Sequence, residues 1–198
     1  MLTDKYWGMA PMADDDSVDG DNKVTSLDNR LYFYSEVTRP DCLTLNKSIQ
    51  TCSNNLTNFA RNYGVDAPPI RLHINSYGGS VFAGLSSVDY IRNSEVPVHS
   101  VVEGCAASAA TLMSVVADRR FMKQNSYMLI HQLSSGMWGK FEELKDEMEN
   151  CEALMESIRK IYQVHAKIPK AKLNEILKRD LWLDSKTCLE YGLVDEII

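Results

Sequence analysis

The segment Gly104-Cys-Ala-Ala-Ser-Ala-Ala-Thr-Leu112 sets one hydroxyl, Ser108, among small residues. Residues 98–103 before it are β-branched and apolar, the pattern of a buried strand. Gly104 then offers a sharp turn, and residues 106–117 have the composition of a helix. A serine at a strand–turn–helix junction meets free backbone N–H groups and the positive end of a helix dipole. Those conditions suit a nucleophile attacking a carbonyl. The plainer reading is a small residue that lets a helix pack closely. What separates the two is whether a base and a carboxylate accompany Ser108.

Four histidines are available as the base: His73, His99, His131 and His165. His73 alternates with core positions on its strand, His99 follows a proline at a strand start, and His165 sits on a helical seam. His131 ends the apolar run 127–130 and is followed by a loop-like stretch. Strand ends are where α/β folds place reactive groups, because the scaffold holds them while loops leave room for substrate. Asp180 precedes the apolar Leu181-Trp-Leu183, which predicts a partly buried carboxylate in need of a partner such as a histidine N–H. Its alternative is a surface aspartate at a helix end. Gly78-Gly79 permits close backbone approach and can turn N–H groups toward an oxyanion, or it is an ordinary turn. It is not a dinucleotide fingerprint, since the G-x-G-x-x-G spacing is absent.

The elements that must position these residues alternate along the chain. Residues 31–37 read as a strand. A helix opens at Pro40-Asp41 and closes at Gly64, with Leu45, Ile49, Cys52, Leu56, Phe59 and Tyr63 at helical spacing. Strand 70–75, a turn at 76–80, helix 81–93, strand 98–103, helix 106–117 and strand 127–131 follow. That alternation predicts an α/β fold with largely parallel pairing. From Phe141 to His165, apolar residues recur as Phe141, Leu144, Met148, Cys151, Met155, Ile158, Tyr162 and His165, a heptad seam. At 1.5 Å per residue it spans roughly 37 Å, so the helix either covers the core along its whole length or projects onto another subunit. A short helix near 171–178 and another opened by Asp184 or Ser185 and capped by Gly192 complete the chain.

Composition narrows the class. The chain has 198 residues, 44% hydrophobic and 24% charged, as expected of one globular domain. A net charge of −6 argues against a nucleic-acid partner. Seven Asp against two Lys fall within residues 1–28, so the excess acid is concentrated in what reads as an N-terminal arm, and residues 29–198 form the domain. Five scattered cysteines without a CxxC pair read as reduced thiols, not a disulfide framework or a metal site. With no apolar run of membrane-spanning length and no signal-peptide pattern, the cytoplasm is the expected location. No cofactor is expected.

Five motifs occur together and in order: Ile74-Asn-Ser-Tyr-Gly-Gly-Ser-Val81, Gly104-Cys-Ala-Ala-Ser108, Met128-Leu-Ile-His-Gln132, Arg179-Asp180 and Glu190-Tyr-Gly-Leu-Val-Asp-Glu196. In this the chain resembles the ClpP family, the proteolytic subunits of ATP-dependent Clp proteases, from about Arg30 to the C-terminus. The resemblance implies the ClpP/crotonase-like fold of repeated β-β-α units with a projecting handle, here about residues 133–165. It implies a serine endopeptidase with Ser108 as nucleophile, His131 as general base and Asp180 as the residue orienting the imidazole. Backbone N–H groups of Gly79 and Ala109 would form the oxyanion hole, and segments after Gly79 and His131 would pair with substrate as added strands. It further implies two stacked seven-membered rings of identical subunits, fed unfolded polypeptide by an AAA+ unfoldase. Tyr77 stands where the family usually has proline, and Ala109 where methionine is usual. Arg71 and His73 occupy strand positions where aromatic residues often line the pocket that docks the unfoldase in that family. Two rival readings are a non-catalytic ring subunit and a crotonase-type acyl-CoA enzyme that uses the oxyanion hole without a serine nucleophile.

Overall fold

The computed structural model describes residues 23–198. The segment 1–22, most of the expected acidic arm, lies outside the described residues. Val24–Leu27, placed in the arm on sequence, form a strand of the sheet. Strand β1 (Val24–Leu27) pairs antiparallel with β2 (Arg30–Phe33) across the turn at Asp28.

The strands that follow are parallel. β2 pairs with β3 (Ile70–Ser76), β3 with β4 (Val98–Ala107), and β4 with β5 (Arg119–Met122). β5 in turn pairs with β8 (Glu196–Ile197). β4 is long enough to take a second parallel partner at its C-terminal end, β6 (Tyr127–Leu129), which pairs antiparallel with β7 (Leu183–Asp184). The helix α1 (Arg39–Tyr63) starts where Pro40 supplies a preset φ and Thr38 Oγ1 accepts the Asp41 amide at 3.2 Å. With α2 (Val81–Arg92) and α3 (Ala109–Val115) it covers one face of the sheet. Leu31, Phe33, Ile70, Leu72, Ile74 and Met122 of the strands meet Leu45, Ile49, Ile91, Leu112 and Met113 of these helices with essentially no exposure. Alternation along β2 and β3 is the cause, since every second side chain enters that layer.

Several boundaries differ from the sequence reading. The strand expected over 31–37 is β2, that over 127–131 stops at Leu129, β5 is not foreseen, and the helix expected over 106–117 begins later. Ala106 and Ala107, good helix formers, end β4 instead of starting a helix, because both are wholly buried and pair with β6, Ala106 also with Ser76 of β3. Packing overrides propensity there. The chain therefore turns not at Gly104, which sits inside the strand, but at Ser108 itself.

The heptad seam divides in two along α4 (Phe141–His165). Ile158 and Tyr162 are buried in this domain's own core, while Phe141 and Met148 are 70% and 51% exposed. The C-terminal half of the helix covers the core and the N-terminal half projects from it. The helix thus does not cover the core along its whole length, as one sequence-based alternative required. The chain continues through α5 (Lys170–Ile176) and α6 (Ser185–Glu190). Among the described residues no helix is long and apolar enough to cross a membrane.

Candidate active site

Ser108 has φ 53° and ψ −126°, a strained conformation for any residue with a Cβ. Surrounding structure over-determines it. Its amide donates to the Leu129 carbonyl of β6 at 2.8 Å, and its carbonyl accepts from the Thr111 amide and from Thr111 Oγ1 at 3.0 and 2.6 Å. Thr111 Oγ1 is in turn 2.5 Å from the hydroxyl of the buried Tyr162, so α4 braces the turn from behind. The outcome is a half-buried serine presented at the tip of β4, where α3 begins. Its Oγ makes no hydrogen bond among the described residues.

The turn 77–79 lies against this elbow. Gly78 has φ +96°, and a Cβ there would stand 2.6 Å from the Ala107 carbonyl oxygen and 2.7 Å from Ser108 Cβ. Only glycine fits. Gly79 has φ +146°, and its Cβ would stand 2.6 Å from the Val37 carbonyl oxygen. Val37 holds the turn from outside, donating to the Gly78 carbonyl and accepting from the Ser80 amide, both at 2.7 Å. These bonds bypass the Gly79 amide. The Ala109 amide is the first of α3 and has no intrahelical acceptor. Neither amide donates a hydrogen bond among the described residues. Both remain available to a negatively charged oxygen beside Ser108.

Of the four histidines, three are engaged elsewhere. His73 Nδ1 is 2.9 Å from Glu103 Oε1 and its ring stacks on Tyr32; His99 stands near Phe121; His165 faces Arg92. Only His131 lines the same cleft as Ser108, a space of about 230 Å³ that Gly79, Ala109, Leu112 and Tyr162 also border. It follows β6, as the sequence predicts. The segment after it is pinned by the Gln132 amide on the Leu177 carbonyl at 2.6 Å and the Leu133 amide on Met155 Sδ at 3.0 Å.

His131 Nδ1 lies 3.6 Å from Asp180 Oδ1, within ion-pair range and longer than an ordinary hydrogen bond. One correction is needed to the expected burial: the Asp180 side chain is 50% exposed. The run Leu181-Trp182 after it is exposed as well, so it provides little shelter. Burial of the imidazole, the larger influence, pushes the His131 pKa below its ordinary 6.5, and the Asp180 charge opposes this. The ring is therefore neutral at pH 7, and with Nδ1 facing the carboxylate, Nε2 is the nitrogen left to accept a proton. If His131 accepts the serine proton, kcat/KM against pH falls on the acid side with a midpoint below 6.5. An acid limb above 6.5, measured on a short fluorogenic peptide, contradicts that assignment.

Sequence analysis marks Tyr77 as a departure from the family's usual proline but gives no sign of its contacts. Tyr77 borders the cleft, its ring stands edge-on to Trp182 at 6.4 Å, and it hydrogen-bonds Cys105. A tyrosine in a glycine turn carries no signal of a partner that is 105 residues away.

Comparison with known proteins gives a consistent result. A family model described as Clp protease matches residues 47–198. The ATP-dependent Clp protease proteolytic subunit of Deinococcus radiodurans is 32% identical over 131 residues, 65% of this chain and 64% of that protein. Subunit 2 of Treponema denticola is 35% identical over 131 residues, 65% of this chain and 66% of that protein. The Lactococcus lactis subunit is 37% identical over 134 residues, 65% and 67% of the two chains. The match thus spans about two thirds of the length of these relatives. A solved ClpP1 variant from Listeria monocytogenes superposes with a TM-score of 0.74 at 24% identity, covering 86% of this chain and 91% of that one, which shows a shared fold.

Proposed function

Because this chain belongs to the Clp protease family, we propose that it is a serine endopeptidase of unfolded polypeptides, with Ser108, His131 and Asp180 as its triad. The observation that carries this reading is the strained serine at the tip of β4, facing one cleft with a neutral histidine whose far nitrogen meets a carboxylate. In the reaction Ser108 Oγ attacks the peptide carbonyl carbon while its proton passes to His131 Nε2. The carbonyl oxygen gains the charge and accepts hydrogen bonds from the Gly79 and Ala109 amides. His131 then gives the proton to the leaving amine, the C–N bond breaks, and an acyl-enzyme remains. Water, deprotonated by the same imidazole, releases it. Asp180 holds the ring with Nε2 toward the serine and stabilises the imidazolium that forms. Selectivity for extended chains comes from strand-like pairing with the segments after Gly79 and His131, which favours main chain over particular side chains.

The apolar surface on the projecting half of α4 supports a self-assembling subunit. Trp138, just before α4, is 99% exposed, and Phe141 and Met148 on the helix are exposed as well. A monomer that displays such a stripe risks aggregation. In this reading the stripe packs on its counterpart in a facing ring, two heptameric rings enclose the triads, and an AAA+ unfoldase supplies substrate. The chamber works in the cytoplasm. Phe141→Glu combined with Met148→Glu tests the ring contact, leaving Met155 untouched because it holds the Leu133 amide. Burying two added charges costs several kcal/mol, so a particle of half the native mass with sharply reduced cleavage is expected. Full mass and full activity, by native mass measurement and peptide cleavage, rule the contact out.

A further inference from the structure

We propose that Tyr77 and Trp182 form a brace that positions Asp180, so that Tyr77 serves the triad through a residue it does not touch chemically. The inference rests on the triad reading and adds a positioning device to it. Asp180 needs one. Its carboxylate is half exposed and makes no hydrogen bond among the described residues; its one charged contact is His131 at 3.6 Å. The segment carrying it lies between the end of α5 and the two-residue strand β7, whose pairing with β6 begins only at Leu183. Two residues beyond Asp180, the Trp182 ring meets the Tyr77 ring at 6.4 Å and 82°, an edge-to-face arrangement.

Tyr77 is itself anchored. Its hydroxyl donates to Cys105, and the Cys105 thiol reaches Asn75 Oδ1 at 3.7 Å and the Ser76 carbonyl at 3.9 Å. Cys105 lies on β4, three residues before Ser108. Tyr77 is followed by Gly78, which is seated on the serine elbow. The brace thus runs from the strand that presents the nucleophile, across the mouth of the cleft, to the segment that presents the carboxylate. It adds a side-chain restraint between the two ends of the triad, where backbone bonding to other segments reaches Leu177 and Leu183 on either side of Asp180 but, among the described residues, not Asp180 itself.

The readout specific to this role is the acid limb of the pH profile. Asp180 raises the His131 pKa against burial. Releasing Asp180 lets it fall further and shifts the limb to lower pH while the plateau drops. The other titratable groups around the cleft are Glu36 and the phenols of Tyr77 and Tyr162, both pushed up from their ordinary range and neutral throughout; Arg179 neighbours Asp180 in the chain. None of these except Tyr77 belongs to the brace.

Trp182 does not border the cleft, so Trp182→Ala separates positioning from substrate contact. Expected are a loss in kcat of up to about 10²-fold with KM little changed, an acid limb at lower pH, and recovery of both in Trp182→Phe. In an Asp180→Asn background the same change costs less than about twofold, since there is no carboxylate left to position. Tyr77→Leu is expected to repeat the limb shift and serves if Trp182→Ala melts below the assay temperature. An unmoved limb, or an equal loss in the Asp180→Asn background, overturns the brace. If Asp180→Asn itself retains full activity, the triad assignment fails instead, so the two failures are distinguishable.

Discussion

Ser108→Ala is expected to reduce peptide cleavage by about 10⁶-fold, the scale of loss on removing the nucleophile of a serine protease, with assembly and melting temperature preserved. The fold has little reason to respond. Alanine keeps the Cβ and the same positive φ, and the bonds that hold the turn are made by the Ser108 amide and carbonyl, not its hydroxyl. The hydroxyl is what chemistry alone requires. Cys105, three residues earlier in the chain, is a rival nucleophile, but burial pushes its thiol pKa above the usual range, so it is protonated at neutral pH. Cys105→Ser keeps an acceptor for the Tyr77 hydroxyl and is expected to retain most activity. A Ser108→Ala enzyme that cleaves at the original rate removes Ser108 from the mechanism.

Asp180→Asn is expected to lower turnover by a factor approaching about 10⁴, the loss known for the equivalent change in another serine protease. The side chain is isosteric, so the loss arises from charge and tautomer. An amide NH₂ facing Nδ1 favours the proton on Nε2, the wrong nitrogen for a base, and the imidazolium loses its counter-charge. The residual activity should titrate differently. With Asp180 neutral, burial acts on His131 unopposed and its pKa falls further below 6.5. The surviving acid limb therefore moves to lower pH, readable from kcat/KM profiles of both proteins. A limb that moves to higher pH, or turnover within about tenfold of the parent, indicates that Asp180 does not act on His131.

The residues of the candidate site were legible because the sequence carries local marks of their positions. Ser108 sits in an alanine-rich junction, His131 at the end of an apolar strand, and Gly78-Gly79 at a strand end where only glycine fits. Less legible was whatever depends on contacts distant in sequence. Ala106 and Ala107 look helical until β3 and β6 flank them. Val24–Leu27 looks like part of an acidic arm because only Val24 of its four residues is buried, and its order comes from pairing with β2. The seam of α4 shows one unbroken periodicity although Ile158 and Tyr162 are buried in this domain while Phe141 and Met148 are exposed. Asp180 was placed by the apolar run after it, yet those side chains stay largely exposed and the Tyr77–Trp182 contact supplies the nearer restraint.

Covalent labelling with a fluorophosphonate addresses the central claim most directly, because it requires nucleophile, base and oxyanion site to act together without any unfoldase or natural substrate. The labelled protein is digested and the modified residue located by mass. One adduct per chain on Ser108 is expected, formed more slowly below the His131 midpoint and absent from Ser108→Ala. An adduct on any other residue, or none from a preparation that cleaves peptide, contradicts the assignment of Ser108 as the nucleophile.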